Sequence, residues 1–355
     1  MSAVLPAQPA NASGAVAVGR RSAARPYHFI VALLLLVFPF VASDFWIVQI
    51  GAQSLILGVI ALSLMFLAGY GGMVSLAQMT VAGVAAYMIA IFGVSTTGSG
   101  LGWPWWAVIP WAIAIATLYA TFVGALSVRT EGIYTIMITL AIGMATFYLA
   151  QQNYTVFNGF DGFKGLEPPH LFDVDSREPL PFYFLSLAVA AVCYFFVLYV
   201  SRSTFGLSLQ AIRDNARRMR ALGYNVTLHR IVAYSLAGLI AALGGVLSVW
   251  YNGRVSPGSI GISPIINILI IAVMGGMLRP AGPFVGAIVF VLLQTFAIDF
   301  IDRERFNTLI GTVFFLVVLF STDGLLGLWE RVRVRLTAPR AGVTSGQRDG
   351  AEGQR

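Results

Sequence analysis

The sequence predicts an all-α, polytopic membrane helical bundle of about ten spans, some of them short or broken. Three observations carry this expectation. Hydrophobic residues make up 58% of the 355 and charged residues only 10%, whereas a soluble domain is about half apolar and a quarter charged. Mean hydropathy is +0.81. From Phe45 to Val128 the chain contains no Asp, Glu, Lys or Arg, and at about 20 residues per crossing that stretch holds several spans.

Residues 1–27 are rich in Ala, Gly, Pro and Ser, with Arg20, Arg21 and Arg25 just ahead of the first apolar run. The run that follows, Phe29–Ala42, lacks a small-x-small cleavage site, so it is expected as an uncleaved span behind a disordered cytoplasmic tail. Further apolar runs lie at 46–69, 73–94, 104–127, 132–151, 182–201, 230–251, 263–278, 281–298 and 306–322. The membrane domain is therefore placed at 28–330, followed by a basic cytoplasmic tail at 331–355. Gly69–Gly72 and Pro280–Pro283 interrupt the pattern. Such interruptions mark either broken helices at a substrate path or small-residue helix packing.

Ten spans put both tails on one side, with the turns near 70, 129, 202–229 and 279. Lys164, Arg177, Arg254, Arg303 and Arg305 fall on the other side, and the rest of the 22 Lys+Arg fall on the first. Positive residues mark the cytoplasmic face. The net charge of +7 is thereby explained by topology and contact with anionic lipid, with no nucleic-acid partner required. No ionisable side chain lies inside the proposed spans, which argues against proton coupling and against a membrane enzyme using acid–base chemistry. Lys164 is the only lysine, with no GxxxxGK[ST] around it, so no phosphate-binding loop exists; any ATP and Mg²⁺ would be used by another polypeptide. Cys193 stands alone in an apolar run, and His28, His170 and His229 are far apart, so no metal centre is expected. What remains is a passive pore, a Na⁺-coupled carrier, or a transporter driven from outside the bilayer.

Residues 205–222 read as one amphipathic helix. Phe205, Leu209, Ile212, Ala216, Met219 and Leu222 recur at three- and four-residue steps, with Arg213, Arg217, Arg218 and Arg220 on another face. Gly223 stands where a left-handed C-cap is wanted. The stripe suits either a lipid surface or a groove on a cytosolic partner.

The segment "TFGLSLQAIRDNARRMRALGYNVTLHRIVAYSLAGLIAALGGVL" resembles the permease subunits of branched-chain amino-acid ABC importers, the LivM type. Four more blocks agree in order: "LAGYGGMVSLAQMTVAGVAAYM", "RTEGIYTIMITLAIGM", "NGFDGFKGL" and "INILIIAVMGGMLRPAGPFVGAI". The resemblance covers residues 45–331. It implies that about 205–223 is a coupling helix seated in a cleft of an ATPase subunit, with Ala211, Ile212, Arg213, Asp214, Asn215, Ala221, Leu222 and Gly223 as its contact element and the apolar stripe as the plug. It implies as partners a second homologous permease, two cytoplasmic ATPases and an extracytoplasmic solute-binding protein, in a bacterial inner membrane. The sequence departs from the family in "ARRMR" before "ALG", in Asn267 where relatives carry Glu, and in Leu278 after the paired glycines.

Neutral candidates for the path are few. Ser75 and Gln78 are three apart, expected on one helix face; Thr135 and Thr139 form a similar pair, and Asn267 is the third candidate. A Ser or Thr in a membrane helix more often bonds backbone or a neighbouring helix. The loop 151–181, with Asp161, Asp173 and Asp175, is either a solvated connector or a docking face for the binding protein. The solute is expected to be a branched-chain or related apolar amino acid. An importer for urea or short-chain amides is the nearest alternative, and a Na⁺-coupled secondary transporter or a facilitator the more distant ones.

Overall fold

A computed structural model describes residues 26–94, 100–166, 168, 178–300, 311, 312, 315 and 324–327. The tail ahead of residue 26, the tail at 331–355, most of the run at 306–322, and His170, Asp173 and Asp175 lie outside the described residues. Helix α1 (Pro26–Val41) is a unit by itself. The second unit holds α2 (Trp46–Tyr70), α3 (Gln78–Phe92), α4 (Trp105–Ser127), α5 (Ile133–Gln152), α6 (Pro179–Arg202), α7 (Thr204–Asp214), α8 (Ala216–Ala221), α9 (Val226–Asn252), α10 (Ile262–Gly275) and α11 (Gly282–Phe300). Among the described residues, six helical stretches are long and apolar enough to cross a membrane, and the apolar helices Gln78–Phe92 and Gly282–Phe296 are shorter. The helical membrane bundle expected from composition is what forms.

Local chemistry fixes the helix ends. Pro179 opens α6 at its first turn, where a missing N–H costs nothing. Ser203 Oγ accepts from the Gly206 amide at 3.2 Å to start α7, and Asn225 Oδ1 accepts from Leu228 N at 3.0 Å to start α9. Helix α3 has 15 residues and so rises only about 22 Å, short of the roughly 30 Å hydrocarbon core. Non-helical chain at 72–77 precedes it.

The core is built around α2, whose span is 83% buried, with α3 and α9 against it; α5 is only 22% buried. Since lipid tails are as apolar as leucine, close packing rather than the hydrophobic effect holds such helices together. Gly245 shows how close: a Cβ at this position would overlap the carbonyl oxygen of Ala82 on α3. The outward face of the peripheral helices carries Leu118, Phe122, Phe195 and Tyr199, all exposed, as lipid contact requires.

Two ends of the bundle are distinct. At one, Arg213 Nη1 donates to the Gly69 carbonyl and Arg230 Nη1 lies 3.4 Å from Glu131 Oε1, which gathers the turns at 69–77, 128–132 and 203–225. At the other, a short antiparallel ladder pairs β1 (Phe163–Lys164) with β2 (Arg254–Val255), and Tyr87 meets Phe157 with ring centres 5.3 Å apart. The loop after α5 is thus more than a solvated connector: Phe163 and Leu166 are buried. Nothing in the alternation of this loop announced strands, because a ladder two residues long has no period to read.

One charge lies deeper than expected. Arg230 sits in the second turn of α9 with its side chain 12% exposed, and its Nε has no hydrogen-bond partner among the described residues.

Replacing Gly245 by Val is expected to cost at least about 1–3 kcal/mol through overpacking, read as a lower Tm of the detergent-purified protein. Gly258→Val, where the added methyl meets only Ser256 Oγ at 3.7 Å, serves as the control and should shift Tm far less.

Candidate functional site

The break between α2 and α3 is the first feature. Helix α2 ends in a π-helical turn, Phe66–Tyr70, and Gly72 takes φ +66, a conformation that L side chains avoid. The chain then descends without helical bonds to Ala77 and becomes α3 at Gln78. Ser75 and Gln78 therefore do not share a helix face, because the glycine break leaves Ser75 ahead of the helix. Both are nonetheless fully buried.

The polar groups here are closely accounted for. Leu76 N donates to Thr139 Oγ1 on α5 at 3.1 Å, while the Thr139 hydroxyl donates to the Ile136 carbonyl at 3.0 Å. Ser63 Oγ on α2 lies 2.6 Å from the Ile60 carbonyl and 3.1 Å from Gln78 Oε1. Ala77 N donates to Ser75 Oγ at 3.4 Å. The structure thus gathers Ser75, Gln78 and Thr139 around one turn of chain, together with Ser63, which the sequence did not single out. Thr135 lies one turn away on the same face of α5, donating to the Thr130 carbonyl at 2.9 Å. Asn267 stands apart, half-buried on α10. Thr80 Oγ1, one turn beyond Ala77, is buried with no partner among the described residues and faces Gly143 of α5.

The second feature lies directly beneath the break. The helix expected over 205–222 is two helices, α7 and α8, because Asn215 leaves helical geometry (φ −156) and caps α8, its Oδ1 accepting from Arg218 N at 2.9 Å. The expected apolar stripe is divided. Leu209, Ile212 and Met219 are buried in the protein's own bundle, with Ile212 and Met219 packed on Val226, so they are not an outward plug in this chain. Phe205 stacks on His229 at 5.6 Å. What faces outward is a mixed surface: Leu207, Leu222, Tyr224 and Leu228 beside exposed Arg217, Arg218, Arg220 and Ala221. Gly223, at φ +88, closes α8 as the sequence anticipated. Tyr224 N donates to the Met219 carbonyl at 3.1 Å and Gly223 N to the Arg220 carbonyl at 3.0 Å, the two bonds of a Schellman cap.

Arg213 joins the two features. Its guanidinium donates to the Gly69 carbonyl and pairs with Asp214 at 2.9 Å. Its aliphatic stem lies on Gly72, where a Cβ would come within 2.6 Å of Arg213 Cγ. Ala211 is half-buried behind it, and Asp214 and Asn215 are exposed.

The third feature, at the opposite end, was missed by the sequence. A cavity of about 250 Å³ lies between α3, α9 and the segment after β2, lined in part by Met79, Gly83, Ser248, Asn252, Arg254 and Ser259. Its polar residues are scattered over helix, strand and a 3₁₀ turn, so no local spacing reveals them.

Thr139→Val removes the acceptor for the buried Leu76 amide and is expected to destabilise by about 1–3 kcal/mol. Thr139→Ser keeps the hydroxyl and should retain most of the Tm. Equal losses in the two variants would show that the methyl, not the hydrogen bond, matters.

The family profile described as branched-chain amino acid transport system / permease component matches residues 46–320. The high-affinity branched-chain amino acid transport system permease protein LivM of Salmonella typhimurium is 23% identical over 349 residues, covering 91% of this chain and 78% of that protein. The autoinducer 2 import system permease protein LsrD of Klebsiella pneumoniae is 26% identical, covering 66% of this chain and 72% of its own length. The nucleoside ABC transporter permease protein NupC of Lactococcus lactis is 25% identical, with 64% and 74% covered. No solved structure matches. The chain, matched over most of its length, belongs to the family of permease components of branched-chain amino acid transport systems.

Proposed function

We propose that this ABC-type permease subunit imports branched-chain or related apolar amino acids, driven by ATPases that dock on the α7–α8 hairpin. Its companions in this reading are a second homologous permease, two ATPase subunits that bind ATP and Mg²⁺, and a solute-binding protein on the other face. The chain is a transport component and not a catalyst. It sits in a bacterial inner membrane with the hairpin and both termini in the cytoplasm. Among the described residues, Arg129, Arg202, Arg213, Arg217, Arg218, Arg220 and Arg230 lie at the hairpin end, against Lys164 and Arg254 at the other, a bias that supports this orientation.

One observation carries the proposal. Arg213 fastens the hairpin to the break at Gly69–Gly72, and the break leads straight into the buried Ser75, Gln78 and Thr139. A displacement of α7–α8 is therefore felt at membrane depth without an intervening helix. The outward surface, apolar side chains ringed by exposed arginines, has the composition of a partner contact in which charge steers and fixes register.

Amino acids are preferred as solute because the LivM relative covers 91% of this chain. Relatives named for autoinducer 2 and nucleosides match at similar identity over less of it. Uptake of labelled leucine, uridine and autoinducer 2 by the reconstituted assembly with its cognate binding protein tests the choice, and uridine uptake without leucine uptake would overturn it.

Gly223→Pro forces φ to about −65° and removes the N–H bonded to Arg220; Ala221→Asp places a charge on the exposed face. Both variants are expected to fold and to lose co-purification with the ATPases. Normal recovery of the ATPases with either one would end the docking assignment. Arg213→Met should behave differently, keeping ATPase association while uptake falls by roughly tenfold or more, as loss of a charged hydrogen bond worth about 1.5–3 kcal/mol would allow. Unchanged uptake in that variant would remove Arg213 from the linkage.

A further inference from the structure

Helix α4 has two faces of opposite composition. Ala112, Ala116, Ala120 and Gly124 are buried at four-residue steps, and a Cβ at Gly124 would overlap the Tyr234 side chain of α9. Small residues let membrane helices meet in this way. At the same step on the outside, Trp106, Pro110, Ala114, Leu118, Phe122 and Leu126 are exposed. Leu118 and Phe122 hold a second backbone off and suit acyl chains.

The two ends of this outer stripe differ. Away from the hairpin, Trp103, Trp105 and Trp106 are exposed together, and amphipathic indoles concentrate at headgroup level. Trp103 is held in place: its amide donates to the Phe92 carbonyl at 2.9 Å, and its ring centre lies 5.1 Å from that of Phe92. Pro110 lacks the amide that would bond the Trp106 carbonyl, a loss that is costly in hydrocarbon and cheap beside water and headgroups. At the hairpin end, exposed Arg129 follows the stripe, placed to meet lipid phosphate. From Trp106 to Leu126 the helix rises about 30 Å, the thickness of a hydrocarbon core. The interior returns the same figure. Helix α3 rises about 21 Å from Gln78 to Phe92, and α5 rises about 9 Å from Ile133 to Thr139, which bonds Leu76 beside Gln78.

We infer that the outer face of α4 is a lipid-binding surface that sets the depth of the chain. The indoles of Trp103, Trp105 and Trp106 lie among the headgroups of one leaflet, Leu118 and Phe122 lie in acyl chains, and Arg129 lies at the phosphates of the other leaflet. This register sets the α2–α3 break in the third of the bilayer nearer the hairpin. It depends on neither the solute nor the energy source.

The test uses the full chain in vesicles of phosphatidylcholine and phosphatidylglycerol. The single cysteine, Cys193, is buried and is replaced by Ala. A nitroxide is then attached at Trp106→Cys, Leu118→Cys, Arg129→Cys or, as an aqueous reference, Arg217→Cys. Collision with oxygen, which partitions into hydrocarbon, is compared with collision with a water-soluble nickel chelate. The oxygen-to-nickel ratio is expected to be severalfold higher at position 118 than at 106 and 129, and higher at both of these than at 217. Trp105→Cys reads the level of position 106 independently, so a folding failure of one variant does not decide the outcome. Met137→Cys, close to Thr139 on α5, should fall between 129 and 118. A ratio at 105 and 106 equal to that at 118 would bury the tryptophans in hydrocarbon, and one equal to that at 217 would put them in water; either overturns the inference. A label at 118 shielded from both reagents means that protein covers the stripe, which overturns it too. A ratio at 137 above that at 118 overturns the placement of the break.

Discussion

Inside hydrocarbon a peptide N–H has no water to turn to, and each one left unbonded costs several kcal/mol. That constraint governs what this chain can do between Gly69 and Gln78. A break in a membrane helix is permitted only where other protein groups take over the lost backbone bonds. Here Thr139 reaches across from α5 to the Leu76 amide, Ser75 serves the Ala77 amide, and Met73 N donates to the Leu67 carbonyl at 3.1 Å. The hydroxyls that look from the sequence like solute ligands are first of all what makes the break affordable. Any part they take in transport is played through a loop whose shape they also maintain.

The hairpin at 203–225 obeys the opposite logic. It lies outside the apolar spans, where Asn215 can interrupt a helix at little cost and a glycine can end it. The apolar stripe is divided between the two faces of the hairpin: Leu209 and Ile212 on α7 and Met219 on α8 turn inward, Ile212 and Met219 onto Val226, while Leu222, at the end of α8, is exposed. The inward half anchors the hairpin, and the outward half is exposed.

The membrane class, the order of the spans and the glycine cap at 223 could be read from the sequence, because each depends on residues adjacent in the chain or on the hydropathy of long runs. The pairing of Thr135 and Thr139 on one face of α5 was legible for the same reason. Contacts between distant segments were not. Arg213 on Gly69, Leu76 on Thr139 and the Phe163–Val255 register join residues far apart in number, with no periodicity that points from one to the other. Arg230 was misjudged because a charge at the edge of an apolar run looks solvated, whereas its side chain is only 12% exposed beside Glu131.

The seam between α3 and α9 has a mechanical meaning. Where Gly245 lies against the Ala82 carbonyl, main chain rests on main chain, and there are no rotamers to exchange if one helix slides along the other. The pair must travel as a single rigid piece. Relative motion is left to the spans joined through side chains, above all α5, and under the proposed coupling a pull at Gly69 would reach the interior as rotation of a block and not as bending within it.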